Sequence, residues 1–177
     1  MITFRSADAL PTAMLAELRE ERHGTPSSDS WLRLERLLDA GLGSCHLAKP
    51  RIGNVVESAL RYFDGRRYRL IAWVVMPNHV HVLVETIVGH PLANIVHSWK
   101  SFTAKEINQL LRRHGEFWQR DYFDRAIRDE QHCFDAIRYI HENPCKAGLA
   151  GRPEAWSLSS AALAYGHAGA GGTPALR

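Results

Sequence analysis

The stretch Tyr68 to Glu85, YRLIAWVVMPNHVHVLVE, decides the fold. Residues 68–76 are apolar almost throughout and rich in β-branched and aromatic side chains, the composition of a central strand buried on both faces. Pro77 and Asn78 supply a turn. Residues 79–85 then alternate, with Val80, Val82 and Val84 on one face and His79, His81, Leu83 and Glu85 on the other. The two histidines share a face about 7 Å apart along the backbone, close enough to converge on one divalent ion. The H-x-H pattern alone fits two histidines on a solvated face equally well.

Working outward, residues 2–5 (ITFR) read as a short strand. A helical pattern follows from Pro11, with Leu10, Met14, Leu15 and Leu18, until residues 24–29 break it. A second helix, capped by Asp29 or Ser30, carries Leu32, Leu34, Leu37 and Leu38 and closes at residues 40–44. Pro50 opens an amphipathic helix whose stripe is Ile52, Val55, Val56, Ala59, Leu60 and Phe63. Downstream, a long helix is expected over 91–114, capped by Gly115, and another over 129–143, stopped at Asn143-Pro144 because the residue before proline is pushed out of the α region. Beyond Trp156 the chain is rich in Ala, Ser and Gly, which predicts a domain over 1–160 and a flexible tail over 161–177. This order of elements predicts an α/β (α+β) sandwich, helices covering one side of an antiparallel sheet and the other side free to bind something.

A chain of 177 residues suits one domain, and 45% hydrophobic with 23% charged residues excludes a disordered one. No apolar run approaches the roughly 18 residues of a membrane span, so no membrane partner is expected. The N-terminal residues do not read as a signal peptide. Cys45, Cys133 and Cys145 lack C-x-x-C spacing, which suggests free thiols in a cytoplasm and argues against a disulfide framework or zinc knuckle. The net charge is +3, yet 18 of the 22 basic residues are arginine, whose fork matches phosphate oxygens. An arginine-rich composition with no special partner explains the same count.

The last strong helix places Tyr139 and Asn143 at i and i+4, one turn apart on one face. A tyrosine hydroxyl is a weak nucleophile at neutral pH, but a neighbouring metal activates it, and attack on a phosphodiester leaves a phosphotyrosine. Asn143 supplies an oxygen ligand to a metal held by two histidines. The same spacing also fits a tyrosine packed under the sheet and an asparagine that caps the helix.

Three motifs in order, MPNHVHVLVE over 76–85, FWQRDYFDR over 117–125 and YIHENPCKAGL over 139–149, resemble the REP-associated tyrosine transposases, bacterial members of the single-tyrosine, His-hydrophobic-His class. The resemblance runs from the first strand to about Ser160. It implies a ferredoxin-like domain that binds single-stranded DNA hairpins, the repetitive extragenic palindromes, and cuts and rejoins strands through a 5′-phosphotyrosine. By position it makes His79, His81 and Asn143 the metal site and Tyr139 the nucleophile. The family more often has valine where this chain has Cys145, beside the site.

Tyr122, among Arg120, Arg125 and Arg128, is the rival nucleophile, but no metal ligand lies one turn from it. Those arginines, with Trp118 and Tyr122, read as DNA-binding residues, since interleaved aromatic and basic side chains stack bases and neutralise phosphates; Trp118 fits a core position as well. Lys100 is a further candidate phosphate contact. The expected cofactor is Mg2+ or Mn2+, the expected assembly a monomer or homodimer, the expected location the cytoplasm, on the nucleoid. Two rivals stand beside this reading: a domesticated hairpin-binding protein that no longer cuts, and a zinc-dependent hydrolase using the same histidines.

Overall fold

Strands β1 (Ile2–Arg5), β2 (Tyr68–Val75), β3 (His79–Thr86) and β4 (Phe123–Asp124) form one antiparallel sheet in the order β2-β3-β1-β4. The computed structural model describes residues 1–11, 33 and 36–166. Helix α1 (Pro50–Tyr62) connects β1 to β2 and helix α2 (Leu92–Leu111) connects β3 to β4, the βαββαβ arrangement of a ferredoxin-like sandwich. The β2–β3 hairpin is the one read from the sequence: Val75 faces Val80, Val74 faces His81, Trp73 faces Val82, and Met76 N–H donates to His79 O at 2.9 Å.

The alternation of β1, β2 and β3 sorts their side chains into two faces. Ile2, Phe4, Trp73, Val75, Val80 and Val82 pack against Ile52, Val56 and Leu60 of α1 and Ile95, Val96 and Trp99 of α2. This core contains polar atoms, and each finds a partner: Trp99 Nε1 donates to Tyr68 Oη (2.9 Å), Tyr68 Oη to Leu60 O (2.6 Å), Trp118 Nε1 to Thr103 Oγ1 (2.8 Å) and Thr103 Oγ1 to Trp99 O (2.7 Å). Trp118 is thus a core residue, edge-on to Phe4, and offers no free face to a nucleobase. That corrects its assignment to DNA binding.

The opposite face, expected to be free, carries helix α3 (Glu130–Lys146), whose Ala136 and Ile140 pack on Ala72, Val74, Met76 and Leu83. The helix starts where Asp129 accepts from His132 N–H at 2.7 Å. It does not stop at Pro144. A proline so near the end forfeits one backbone bond, and the final turn is closed from beyond: Ala147 N–H donates to Asn143 O, Gly148 N–H, at φ 70°, to Cys145 O, and Leu149 N–H to Pro144 O. Helix α2 likewise ends before its expected cap. Arg112 takes the left-handed conformation (φ 51°) and its N–H reaches the Asn108 and Gln109 carbonyls, while Gly115 lies beyond, its carbonyl held by Asn108 Nδ2.

The first expected helix lies outside the described residues, and of the second only its helical end over 36–39 is described along with residue 33. Residues 158–160 cover the outer edge of β2: Val75 N–H donates to Leu158 O (2.8 Å) and Trp73 N–H to Ser160 Oγ (3.0 Å). Residues 161–166, placed in the tail by composition, continue as helix α4 (Ser160–Gly166) with Ala161 fully buried. Small residues here serve close packing and not mobility. The remainder of the expected tail lies outside the described residues. Among the described residues no helix is long and apolar enough to cross a membrane.

Gly53 is where α1 meets this covering segment. A Cβ there would lie 2.3 Å from Leu158 Cδ1 and 2.8 Å from the Leu47 carbonyl oxygen, and the carbonyl has nowhere to go. Gly53→Ala should therefore destabilise by about 1–3 kcal/mol, a fall in Tm of roughly 2–4 °C per kcal/mol, whereas Gly151→Ala, where nothing lies within 4 Å, should leave Tm unchanged. Equal Tm values for the two variants would contradict this packing.

Candidate active site

His79 and His81 lie side by side on β3 under helix α3, and both are about 1% exposed. The expectation of an open histidine face fails because α3 and the 38–42 segment lie across it. Their Nε2 atoms are 3.0 Å apart and their rings stand nearly perpendicular.

The outward-facing nitrogens are set by neighbours. Asn78 is fully buried, and its Nδ2 donates to the carbonyls of Leu38 (3.1 Å) and Leu42 (3.0 Å). Its Oδ1 is therefore the atom 2.7 Å from His79 Nδ1. An amide oxygen only accepts, so Nδ1 carries the proton and Nε2 keeps its lone pair. On His81, Nδ1 lies 2.7 Å from Thr3 Oγ1, the residue facing it on β1. A hydroxyl both donates and accepts. His81 can thus hold its proton on Nε2, donating to His79, or on Nδ1, leaving two Nε2 lone pairs aimed at a common cation.

Two oxygens complete the cluster. Asn143 Nδ2 lies 3.5 Å from His81 Nε2, and Asn143 Oδ1 is buried with no hydrogen-bond partner. Asp39 Oδ1, on the helical turn before the Leu42 segment, is also buried without a hydrogen-bond partner, 3.8 Å from His79 Nε2. Among the described residues no three His, Cys, Asp or Glu side chains are grouped closely enough to hold an ion, so the amide of Asn143 is needed. Two imidazole nitrogens with an orphaned amide oxygen fit a divalent cation. Tyr139, one turn before Asn143, presents its ring edge to His81 at 5.4 Å between centroids, and Lys146 Nζ stands 5.2 Å from the centre of that ring. The four residues named from H-x-H and the i, i+4 pair are therefore together.

The DNA-binding candidates are dispersed. Tyr122 packs on the core between the sheet and α1 and α2, away from the histidines. Arg120, Arg125 and Arg128 are exposed. Lys100, half-buried, donates to the carbonyls of Gln119 (2.8 Å) and Arg120 (2.7 Å), and burial lowers its pKa. It fastens the arginine segment to α2 and has two of its three donors already engaged. Sequence reasoning missed Asn78, Thr3 and Asp39. Asn78 stood in the quoted motif and was read only as a turn residue; Thr3 and Asp39 are remote in sequence and carry no spacing signal.

Burial keeps both histidines neutral, with His79 well below the ordinary 6.5 and His81 lowered to about 3. Below 6.5 the unfolded chain takes up protons that the fold refuses, so stability falls as pH drops from 6.5 towards 3. His46 and His141, also lowered by burial, act in the same direction. Asp39, raised to about 6 by burial, acts oppositely, adding stability as pH falls through 6 towards 4. Four groups outweigh one. The Tm of the metal-free protein should decline steadily on acidification below about pH 6.5, and a Tm constant from pH 7 to pH 5 would contradict the buried neutral pair.

Residues 48–143, more than half of the chain, match the sequence profile of the family described as "Transposase IS200 like". That segment holds both histidines, Tyr139 and Asn143. A solved structure described as the REP-associated tyrosine transposase bound to a REP hairpin superposes with a TM-score of 0.61 at 15% identity, covering 94% of this chain and 78% of that one. At such identity the likeness establishes the fold. A search of curated protein sequences returns no significant match. On the sequence match, with the fold in agreement, the chain belongs to the IS200-like transposase family.

Proposed function

We propose that this protein is a metal-dependent endonuclease and strand transferase that binds hairpins of single-stranded DNA, of the REP type, and cleaves through a 5′-phosphotyrosine on Tyr139. The observation that carries the reading is the position of Tyr139 against His81, one helical turn from the orphaned oxygen of Asn143. His79, His81 and Asn143 would hold Mg2+ or Mn2+. The 3.0 Å between the Nε2 atoms suits two ligands of one ion, for which bonds near 2.1 Å give a separation of ~3.0–3.4 Å according to geometry. The ion, when bound, supplies a Lewis acid that polarises the phosphodiester.

The chain's own residues do the rest. Asn78 and Thr3 fix the imidazoles, so little reorganisation is needed when the substrate arrives. Helix α3 positions the Tyr139 hydroxyl, which attacks phosphorus; the new O–P bond replaces the bond to the 3′-oxygen, the phenol's proton is lost to solvent, and the departing 3′-oxygen takes one up. Energy is conserved in the phosphotyrosine ester, so the 3′-hydroxyl of another strand can reverse the step and rejoin DNA. Lys146, beside the Tyr139 ring, meets the negative charge of the phosphate. Arg120, Arg125 and Arg128 bind the backbone of the hairpin, in keeping with the hairpin complex of the similar fold.

Incubation with labelled single-stranded hairpin DNA and Mn2+, followed by a denaturing gel, tests this. A protein-linked 5′ fragment and a free 3′-hydroxyl are expected. Tyr139→Phe removes only the hydroxyl and should abolish the adduct while hairpin affinity stays within a few fold; Tyr122→Phe should retain it. The pair His79→Ala and His81→Ala should likewise bind without cutting, since affinity comes mainly from phosphates and bases. Binding should weaken with salt, with a log-log slope near −0.7 per phosphate contact. Absence of an adduct in every variant would leave a binding protein, and undiminished cleavage by Tyr139→Phe would rule out this nucleophile.

A further inference from the structure

The inference concerns the carboxylate of Asp39 and rests on the metal reading above. Asp39 lies before the segment that matches the transposase family, so the match assigns it no role. It sits in the helical turn over 36–39, the only part of the chain upstream of α1 that reaches the histidines among the described residues. Its Oδ1 is buried, has no hydrogen-bond partner, and stands 3.8 Å from His79 Nε2. The position is not accidental in the packing. Asn78, which orients His79, uses its other amide atom to hold the carbonyls of Leu38 and Leu42, the residue before Asp39 and the third after it. One side chain thus fixes both the imidazole and the segment that delivers the carboxylate.

We propose that Asp39 is a fourth ligand of the cation held by His79, His81 and Asn143, and the one that brings negative charge to an otherwise neutral set. The alternative of a purely structural carboxylate is poorly served by the surroundings. A buried carboxylate oxygen facing the lone pair of a neutral imidazole is unfavourable in the metal-free protein, because both are acceptors. A divalent cation between them converts the repulsion into coordination. The 3.8 Å separation falls between the ~3.0 Å of adjacent and the ~4.2 Å of opposite ligands around an ion with bonds near 2.1 Å. Two imidazoles, an amide oxygen and one carboxylate make a mixed N/O set suited to Mn2+ as well as Mg2+, with room left for water or phosphate.

Mn2+ binding to the full-length, DNA-free protein, followed by electron paramagnetic resonance of the free ion, tests this without reference to catalysis. Asp39→Asn keeps the shape and removes the charge; it should weaken Mn2+ binding by on the order of 10- to 100-fold, and Asp39→Glu should recover part of the loss. Thermal unfolding gives a second readout of opposite sign for the rival role. In EDTA, Asp39→Asn should have a Tm equal to or above that of the native chain, because an unpartnered buried charge is gone, and it should lose most of the Tm gain that Mn2+ gives the native chain. Native-like Mn2+ affinity in Asp39→Asn, with His79→Ala defective, would overturn the role of Asp39 and leave the metal site intact. Absence of Mn2+ binding by the native chain would overturn the metal reading itself.

Discussion

The side chain of Asn78 is the constraint from which the site follows. Its amide is used at both ends: Nδ2 on two carbonyls of the 38–42 segment, Oδ1 on His79. Since the carbonyls accept only, the amide has one possible orientation, and that orientation dictates which nitrogen of His79 is left to bind. The hairpin turn itself is anchored from three sides, by Ser6 N–H on Asn78 O, Leu47 N–H on Pro77 O and Met76 N–H on His79 O. A turn between two strands is ordinarily a tolerant element. Here it is buried, because it serves as the joint between the sheet, the segment before α1 and the candidate metal ligands.

The sheet divides labour between its faces. Towards α1 and α2 it presents a conventional core in which each buried indole and phenol has a hydrogen-bond partner, and this side supplies stability. Towards α3 it presents Thr3, His79 and His81, polar groups whose burial would be costly if they were not joined to one another and to Asn78. The strict alternation of β3 makes the two arrangements inseparable: a slip of one residue in the pairing with β1 would carry the valines to the histidine side and the histidines into the core. Register is thus fixed by Val80 and Val82 for the benefit of His79 and His81. The same division explains why α3 continues through Pro144. The last turn keeps Asn143 buried beneath the helix and brings Lys146 back over Tyr139, at the loss of a single backbone hydrogen bond.

Much of this was legible in the sequence, and the limits have physical causes. Period-two alternation placed His79 and His81 on a common face, and the i, i+4 rule joined Tyr139 to Asn143, because both depend on local backbone geometry alone. Which face was covered could not be read in the same way, since the apolar residues of α3 that lie on the histidine side, Ala136 and Ile140, form a stripe like any other. Trp118 has the composition of a stacking residue and the surroundings of a core one; only the approach of Thr103 and Phe4 distinguishes them. Lys100 reads as a phosphate ligand until the carbonyls of Gln119 and Arg120 are seen to occupy it. Asp39 and Thr3 are joined to the histidines solely by tertiary packing over 40 and 78 positions, respectively. Small-residue composition suggested mobility over 161–166, where the same small side chains allow a short helix to seal the edge of β2.

The central claim is that the buried polar face forms a cation site beside a nucleophilic tyrosine. The most direct measurement is the anomalous diffraction of crystals grown with Mn2+. The account predicts one strong peak enclosed by His79 Nε2, His81 Nε2 and Asn143 Oδ1, with Tyr139 on the same side of the sheet. A peak elsewhere, or histidines still hydrogen-bonded to each other with no density between them and Asn143 at saturating Mn2+, would contradict it.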